Sequence, residues 1–297
     1  MANANGWGDG ASNNDIGWGK GADNAIGWGS VYSVSEAGAT DIIGAPAFDP
    51  AAAAFFTAAN ITDSTQKTAV NQLVLDLKSF GLFTLPNLVV YPMVGGTNTS
   101  TSFNLVNPAL YQVTWNGGVV SSNNGVQFNG VNAYGNTGFN PTTVGTGQNS
   151  FHMSFYSRTN SNGTEIEIGG QDASGAIGSL IEIRTSGTTY YRVNSAGSYI
   201  TYVDANSLGF YVSNRTASNI VNGWKNGVKV ATGTTASSGN FNGDIWIGAW
   251  NNLNGAAKFY STKQAAAVTM GAGLTDTQAA NLRTAIQTFN TTLGRQV

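Results

Sequence analysis

Glu165-Ile166-Glu167-Ile168 is the segment of this chain with the most pointed chemical content. Alternation along a strand puts the two carboxyls on one face, about 6–7 Å apart. That is near the spacing at which paired carboxylates share the work of glycoside hydrolysis, one as acid/base and one as nucleophile. The strand runs on into Gly169 and Gly170, which supply no further carboxylate, so a solvated strand face accounts for the pair and no catalysis is expected there. His152 is the single histidine and cysteine is absent, which argues against a nucleophilic triad and against zinc. It alternates with Phe151, Met153 and Phe155 and so takes an ordinary strand position. Oxygen ligands for calcium could come from Asp172, Asp204 and Asp244, yet no run has EF-hand spacing, and no cofactor is expected. The glycine-rich Gly6 to Gly10 stretch lacks the Lys-Ser/Thr ending of a phosphate loop.

Sugar binding asks for an aromatic ring to stack on a pyranose and amides to take its hydroxyls. Tyr190-Tyr191 and Trp250-Asn251-Asn252 have that composition and are the candidate glycan contacts, although core or turn packing accounts for each segment at least as well. A second set of rings opens the chain. Gly6-Trp7-Gly8, Gly17-Trp18-Gly19 and Gly27-Trp28-Gly29 repeat one tripeptide, with the tryptophans 11 and then 10 residues apart. A segment this rich in glycine cannot bury a core alone. Trp7, Trp18 and Trp28 are therefore expected as anchors in pockets on a partner, where tryptophan is the favoured hot-spot residue, the alternative being that the arm folds back and packs them on its own domain.

The elements that would position these residues fall into two kinds. Asp49-Pro50 is an N-cap followed by proline at the first helical position, leading into Ala51 to Ala59. Asp63 stands three residues before Gln66, and Val70, Leu73, Val74, Leu77 and Phe80 follow at helical spacing up to Gly81. Thr275 and Gln278 form a capping-box pair ahead of the stripe Leu282, Ala285, Ile286, Phe289 and Leu293, which Gly294 ends. Between Leu88 and Val268 the pattern alternates with period two, and Asn-Gly turns at 116, 124, 129, 162, 226 and 242 punctuate it. Many short strands with frequent turns predict an antiparallel sandwich, with the helices packed on its periphery by their single apolar faces.

Trp224-Lys225-Asn226-Gly227-Val228-Lys229-Val230 followed by Ile245-Trp246-Ile247-Gly248-Ala249 resembles the late hairpin and next strand of laminin-G-like and concanavalin-A-like jelly rolls. Tyr91 to Gly96, Val212 to Arg215, Phe259 to Ser261 and Gly273 to Asp276 through Leu293 to Arg295 are similar to laminin-G-like modules of phage virion and tail-associated proteins. The resemblance covers about residues 50 to 297. It implies a mainly β, concanavalin-A-like jelly roll and a structural or adhesive virion component, such modules often binding glycans. Glycoside hydrolases of that fold carry Glu-x-Asp-x-(x)-Glu on a strand, and the last Glu of that motif has no counterpart here.

Charged residues are 9% of the chain, against about 25% in an ordinary soluble domain. A net charge of −2 with 13 scattered basic residues offers no stripe for a phosphate backbone, so nucleic acid is not an expected partner. The N-terminus has no signal-peptide pattern and no stretch approaches the roughly 18 apolar residues of a span, so membrane insertion is not expected. The expectation is a virion protein made in a host cytoplasm and forming homo-oligomers. Residues 1–45 are its anchoring arm to other virion proteins, 46–95 a helical segment, and 96–297 a jelly roll with a C-terminal helix, displayed toward a host-surface glycan. The competing reading is a lectin or glycoside hydrolase of the same fold.

Overall fold

The computed structural model describes residues 47–253 and 258–297. Asp49–Val297 is one compact unit. The segment expected to be an anchoring arm, with Trp7, Trp18 and Trp28, lies outside the described residues.

Two sheets of eight strands face each other. The first runs, in spatial order, Val228–Gly233, Ile220–Lys225, Gly209–Ala217, Phe151–Ser157, Gln264–Gly271, Gly125–Gln127 and Val120–Ser122, with Val89–Tyr91 also paired to Gln264–Gly271. The second runs Ile200–Val203, Thr188–Ser195, Gly178–Thr185, Ile168–Gln171, Trp246–Ile247, Tyr134–Asn136 and Thr114–Asn116. Pairing is antiparallel save for Asn251–Asn252, which lies parallel to Ile168–Gln171. Strand Val89–Tyr91 joins the first sheet from within the stretch expected to be helical, so residue 95 marks no structural seam.

Period-two alternation separates two cores. Phe151, Met153, Phe155, Tyr211, Val268 and Met270 of the first sheet meet Ile168, Ile181, Ile183, Tyr191, Val193 and Ile247 of the second. Phe155 sits in register between Tyr211 and Val268. The other face of the first sheet, with Tyr156, Phe210, Val212, Trp224 and Ala267, takes the stripes of the three long helices. These are Pro50–Ala59, Ser64–Ser79 and Asp276–Thr292, capped by Asp49, Asp63 and the reciprocal Thr275/Gln278 pair as the sequence predicts. The strands Ile220–Lys225 and Val228–Gly233 are joined through Asn226 and Gly227 at φ 50° and 80°, the left-handed pair that a two-residue hairpin turn needs.

His152 lies in this helix-facing layer, fully buried. Its Nδ1 is 2.6 Å from the Ala272 carbonyl, which can only accept, so Nδ1 carries the proton and Nε2 accepts from the Thr269 hydroxyl at 3.1 Å. Burial pushes its pKa down to about 4. As pH falls, the unfolded chain binds this proton first. The stabilisation is complete above about 6.5 and is lost toward pH 4, amounting to about 3 kcal/mol at 1.36 per unit. His152→Asn keeps a donor toward Ala272 and removes the titration. The difference between variant and native unfolding free energies should therefore change by that order between pH 7 and 4; a constant difference would refute the assignment.

Candidate functional site

Residues that alternate with the inter-sheet core on the second sheet form its outer face, and they are rich in rings. Trp246, between the buried Ile245 and Ile247, is half-buried and stacks on Tyr134 with centroids 4.0 Å apart and planes at 22°. Tyr260 lies 6.3 Å from Tyr134, and Lys258 Nζ is 5.3 Å from the Trp246 ring, held by the Asn252 carbonyl at 2.8 Å. Trp246 pairs with Asn136 on one side and with Gly169, which has no side chain to crowd it, on the other. Asn116 stands opposite Tyr134. The cluster is thus a half-exposed aromatic ridge with amides beside it, held rigid by stacking.

The expected glycan contacts are placed unevenly. Tyr190 is half-buried on the outer face, edge-on to the exposed Tyr199 at 5.8 Å. Tyr191 is corrected: it points into the inter-sheet core at 0% exposure, its hydroxyl on the Trp224 carbonyl, and has no face for a ligand. Adjacent strand residues point to opposite faces, so only one of the two tyrosines could be outside. Trp250 is mostly buried against Ile166 and Leu180 on the outer face and lies 5.9 Å from the Phe259 ring. Asn251 is buried and donates to the Asp244 carbonyl at 2.8 Å, while Asn252 is half-buried at the edge of the ridge. Tyr134, Trp246, Tyr260 and Lys258 are the residues sequence reasoning passed over. The signal for Trp246 was present, an aromatic at the outward position of Ile245-Trp246-Ile247.

Glu165 and Glu167 do not lie on a solvated strand face. Glu165 is 8% exposed and Glu167 0%, and the strand begins only at Ile168. Both carboxylates converge on Lys263, itself 0% exposed, at 3.1 Å each. Burial pushes Glu165 up, but Thr262 N–H at 2.8 Å, Thr262 hydroxyl at 2.6 Å and the Lys263 charge outweigh it and hold the group below the usual carboxylate range. Burial pushes Glu167 up to about 7, only partly offset by Lys263 and the Ile183 N–H. For Lys263, burial is outweighed by the two carboxylates, which raise it. A split pair of carboxylates is the signature of acid/base division, yet these two are sealed in and committed to one ammonium. A third carboxylate has no room: a Cβ at Gly170 would lie 2.2 Å from the Phe241 ring, and at Gly169 2.3 Å from the Ser179 carbonyl oxygen.

Asp172, Asp204 and Asp244 do not converge, and among the described residues no group of three or more His, Asp or Glu side chains is placed to hold a metal ion. Asp204 instead takes the Lys225 ammonium, the Tyr211 hydroxyl at 2.8 Å and the Thr189 hydroxyl at 3.0 Å. No helix among the described residues is long and apolar enough to cross a membrane.

No protein-family model matches the chain, and no curated protein matches it in sequence. Among solved structures it is similar to a mutant of Trypanosoma rangeli sialidase displaying trans-sialidase activity, with TM-score 0.51 and 11% identity over 74% of this chain and 39% of that one. T. rangeli sialidase in complex with the inhibitor DANA gives TM-score 0.50 and 12% identity over 73% and 38%. Domain 4 of AbnA, a GH43 extracellular arabinanase from Geobacillus stearothermophilus in complex with arabinotriose, gives TM-score 0.44 and 12% identity over 65% and 96%. The chain spans well under half the length of the two sialidase chains. At these identities what it has in common with them is the fold, an antiparallel β-sandwich.

Proposed function

We propose that the sandwich binds a glycan on the outer face of its second sheet and does not cleave it. The observation that carries this reading is the half-exposed Tyr134–Trp246–Tyr260 ridge flanked by Asn116, Asn136 and Asn252. Ring faces take the C–H face of a pyranose and amides take its hydroxyls. Because Trp246 is already fixed by stacking on Tyr134, little rotamer freedom is lost on binding. The fold held in common with sialidases agrees with a carbohydrate ligand. The sealed Glu165–Lys263–Glu167 cluster, which presents no carboxyl to a substrate, supports binding over hydrolysis.

A glycan array probed with the full chain should give saturable hits, and Tyr260→Ala and Trp246→Ala should each weaken them at least about tenfold, or 1.4 kcal/mol. Unchanged affinity in both folded variants would sink the site, and polysaccharide cleavage that disappears in Glu165→Gln would sink the binding-only reading. In the same proposal the glycine-tryptophan repeat is the attachment, with Trp7, Trp18 and Trp28 docked on other virion chains and the sandwich displayed outward. Removing residues 1–45 should then abolish co-sedimentation with particles and leave glycan binding intact; a shortened chain that still co-sediments would refute the attachment.

A further inference from the structure

The Glu165–Lys263–Glu167 cluster has no part in the glycan site, and its geometry is that of a reaction waiting for no other component. Lys263 Nζ lies 3.1 Å from Glu167 Oε1 and 3.1 Å from Glu165 Oε2, and neither Lys263 nor Glu167 has any exposed surface. Glu167 Oε2 accepts the Ile183 N–H at 2.5 Å, and the Ser261 hydroxyl is 3.3 Å from Oε1. Glu165 is differently placed, its oxygens gripped by the Thr262 N–H and hydroxyl, which keep it ionised and a poor electrophile. We propose that the Lys263 amine and the Glu167 carboxyl condense to an intramolecular amide, with Glu165 carrying a proton between the amine and the departing oxygen.

The balance closes within the cluster. One ammonium proton passes to Glu167, giving a neutral amine beside a neutral acid with no change in net charge. Nζ then bonds to Cδ of Glu167; the Ile183 N–H stabilises the charge that develops on Oε2, while the Ser261 hydroxyl lies beside Oε1, the protonated oxygen that departs. The second proton moves through Glu165 to the hydroxyl, the Cδ–O bond breaks, and one water leaves. Nothing is oxidised or reduced. The product exchanges a buried charged pair, costly to desolvate, for a neutral amide, and the absence of solvent around it protects the bond from hydrolysis. It ties the segment entering strand Ile168–Gln171 of the second sheet to the segment entering strand Gln264–Gly271 of the first.

Mass spectrometry of the denatured full-length protein tests this. The native chain should be lighter than its sequence by one water, and proteolysis should yield a branched peptide joining Glu167 to Lys263. Lys263→Arg should restore the full mass, since a guanidinium does not acylate under these conditions. Glu167→Gln should give the same branched peptide by loss of ammonia, which an ion pair alone would not do. Separate peptides carrying a free Lys263 and a free Glu167, in fresh protein and again after prolonged incubation of the folded chain, would overturn the proposal. A folded Glu165→Gln variant that cross-links as fast as the native chain would overturn the part given to Glu165.

Discussion

Lys263→Met is expected to cost the fold about 3–5 kcal/mol, the penalty for leaving a buried charge without its partner. Two carboxylates lose their common cation at once, and Glu167, with no exposed surface, has no water to turn to. Glu167 must then hold its proton over a wider range. A carboxyl whose folded pKa is raised keeps its proton where the unfolded chain releases it, so its stabilisation is complete below about pH 4.5 and is lost as pH rises. While Lys263 and Glu167 are still free that loss ends near pH 7; in Lys263→Met, which cannot condense, it should continue further, and the variant should be least stable at alkaline pH. Pairing the change with Glu167→Gln removes the stranded charge and should recover part of the loss, giving a coupling well outside the roughly 0.5 kcal/mol of independent sites. Denaturant unfolding of the four species at several pH values measures all of this. A single-variant loss under about 1 kcal/mol would mean that the cluster is wetter than its geometry states.

The same cluster shows what could be read from the sequence and what could not. Helix starts were legible because caps are local: the Asp63 side chain accepts the Gln66 N–H, and Thr275 and Gln278 cap each other, each pair three residues apart. The sandwich was legible from alternation and Asn-Gly turns. Lys263 was not, because nothing near residue 263 announces a partner almost a hundred positions earlier, and Glu165 and Glu167 alone look like an exposed strand edge. Strand alternation also misled at Ile166, which packs with Leu180 and Trp250 on the outer face while Ile168 enters the inter-sheet core, because the strand starts between them. Composition understated how unusual the interior is. Among the described residues seven charged side chains, Glu165, Glu167, Arg192, Asp204, Arg215, Lys263 and Arg295, are buried, in a chain that has few charges to begin with.

Arg295→Met is expected to destabilise the sandwich by a comparable amount, about 3–5 kcal/mol. The guanidinium is fully buried and spends its donors on acceptors of the C-terminal helix, the Pro92-Met93 corner and strand Gln264–Gly271. Nε bonds Asn290 Oδ1 at 2.7 Å, Nη1 the Met93 carbonyl at 2.8 Å, and Nη2 the Pro92 and Ala266 carbonyls at 2.6 and 2.8 Å. Burial pulls its pKa down to about 9, which still leaves it charged at neutral pH. Met93 is held at φ +50°, a left-handed conformation that a non-glycine residue adopts only when its surroundings require it. Arg295 is thus the pin that fixes the C-terminal helix, the Pro92-Met93 corner and strand Gln264–Gly271 to one another. Methionine fills part of the volume and leaves the carbonyls unpaired, each costing about 1–3 kcal/mol when it cannot reach water. Lysine should rescue little, because a single ammonium cannot span the planar fork of acceptors. Unfolding free energies of Arg295→Met and Arg295→Lys measure this, and losses under about 1 kcal/mol would show that the tail is held by its helix alone. Because the pinned residues belong to the helix-covered sheet and the ridge to the other, the folded fraction of Arg295→Met should bind glycan with native affinity, separating the stability of the scaffold from the chemistry of its open face.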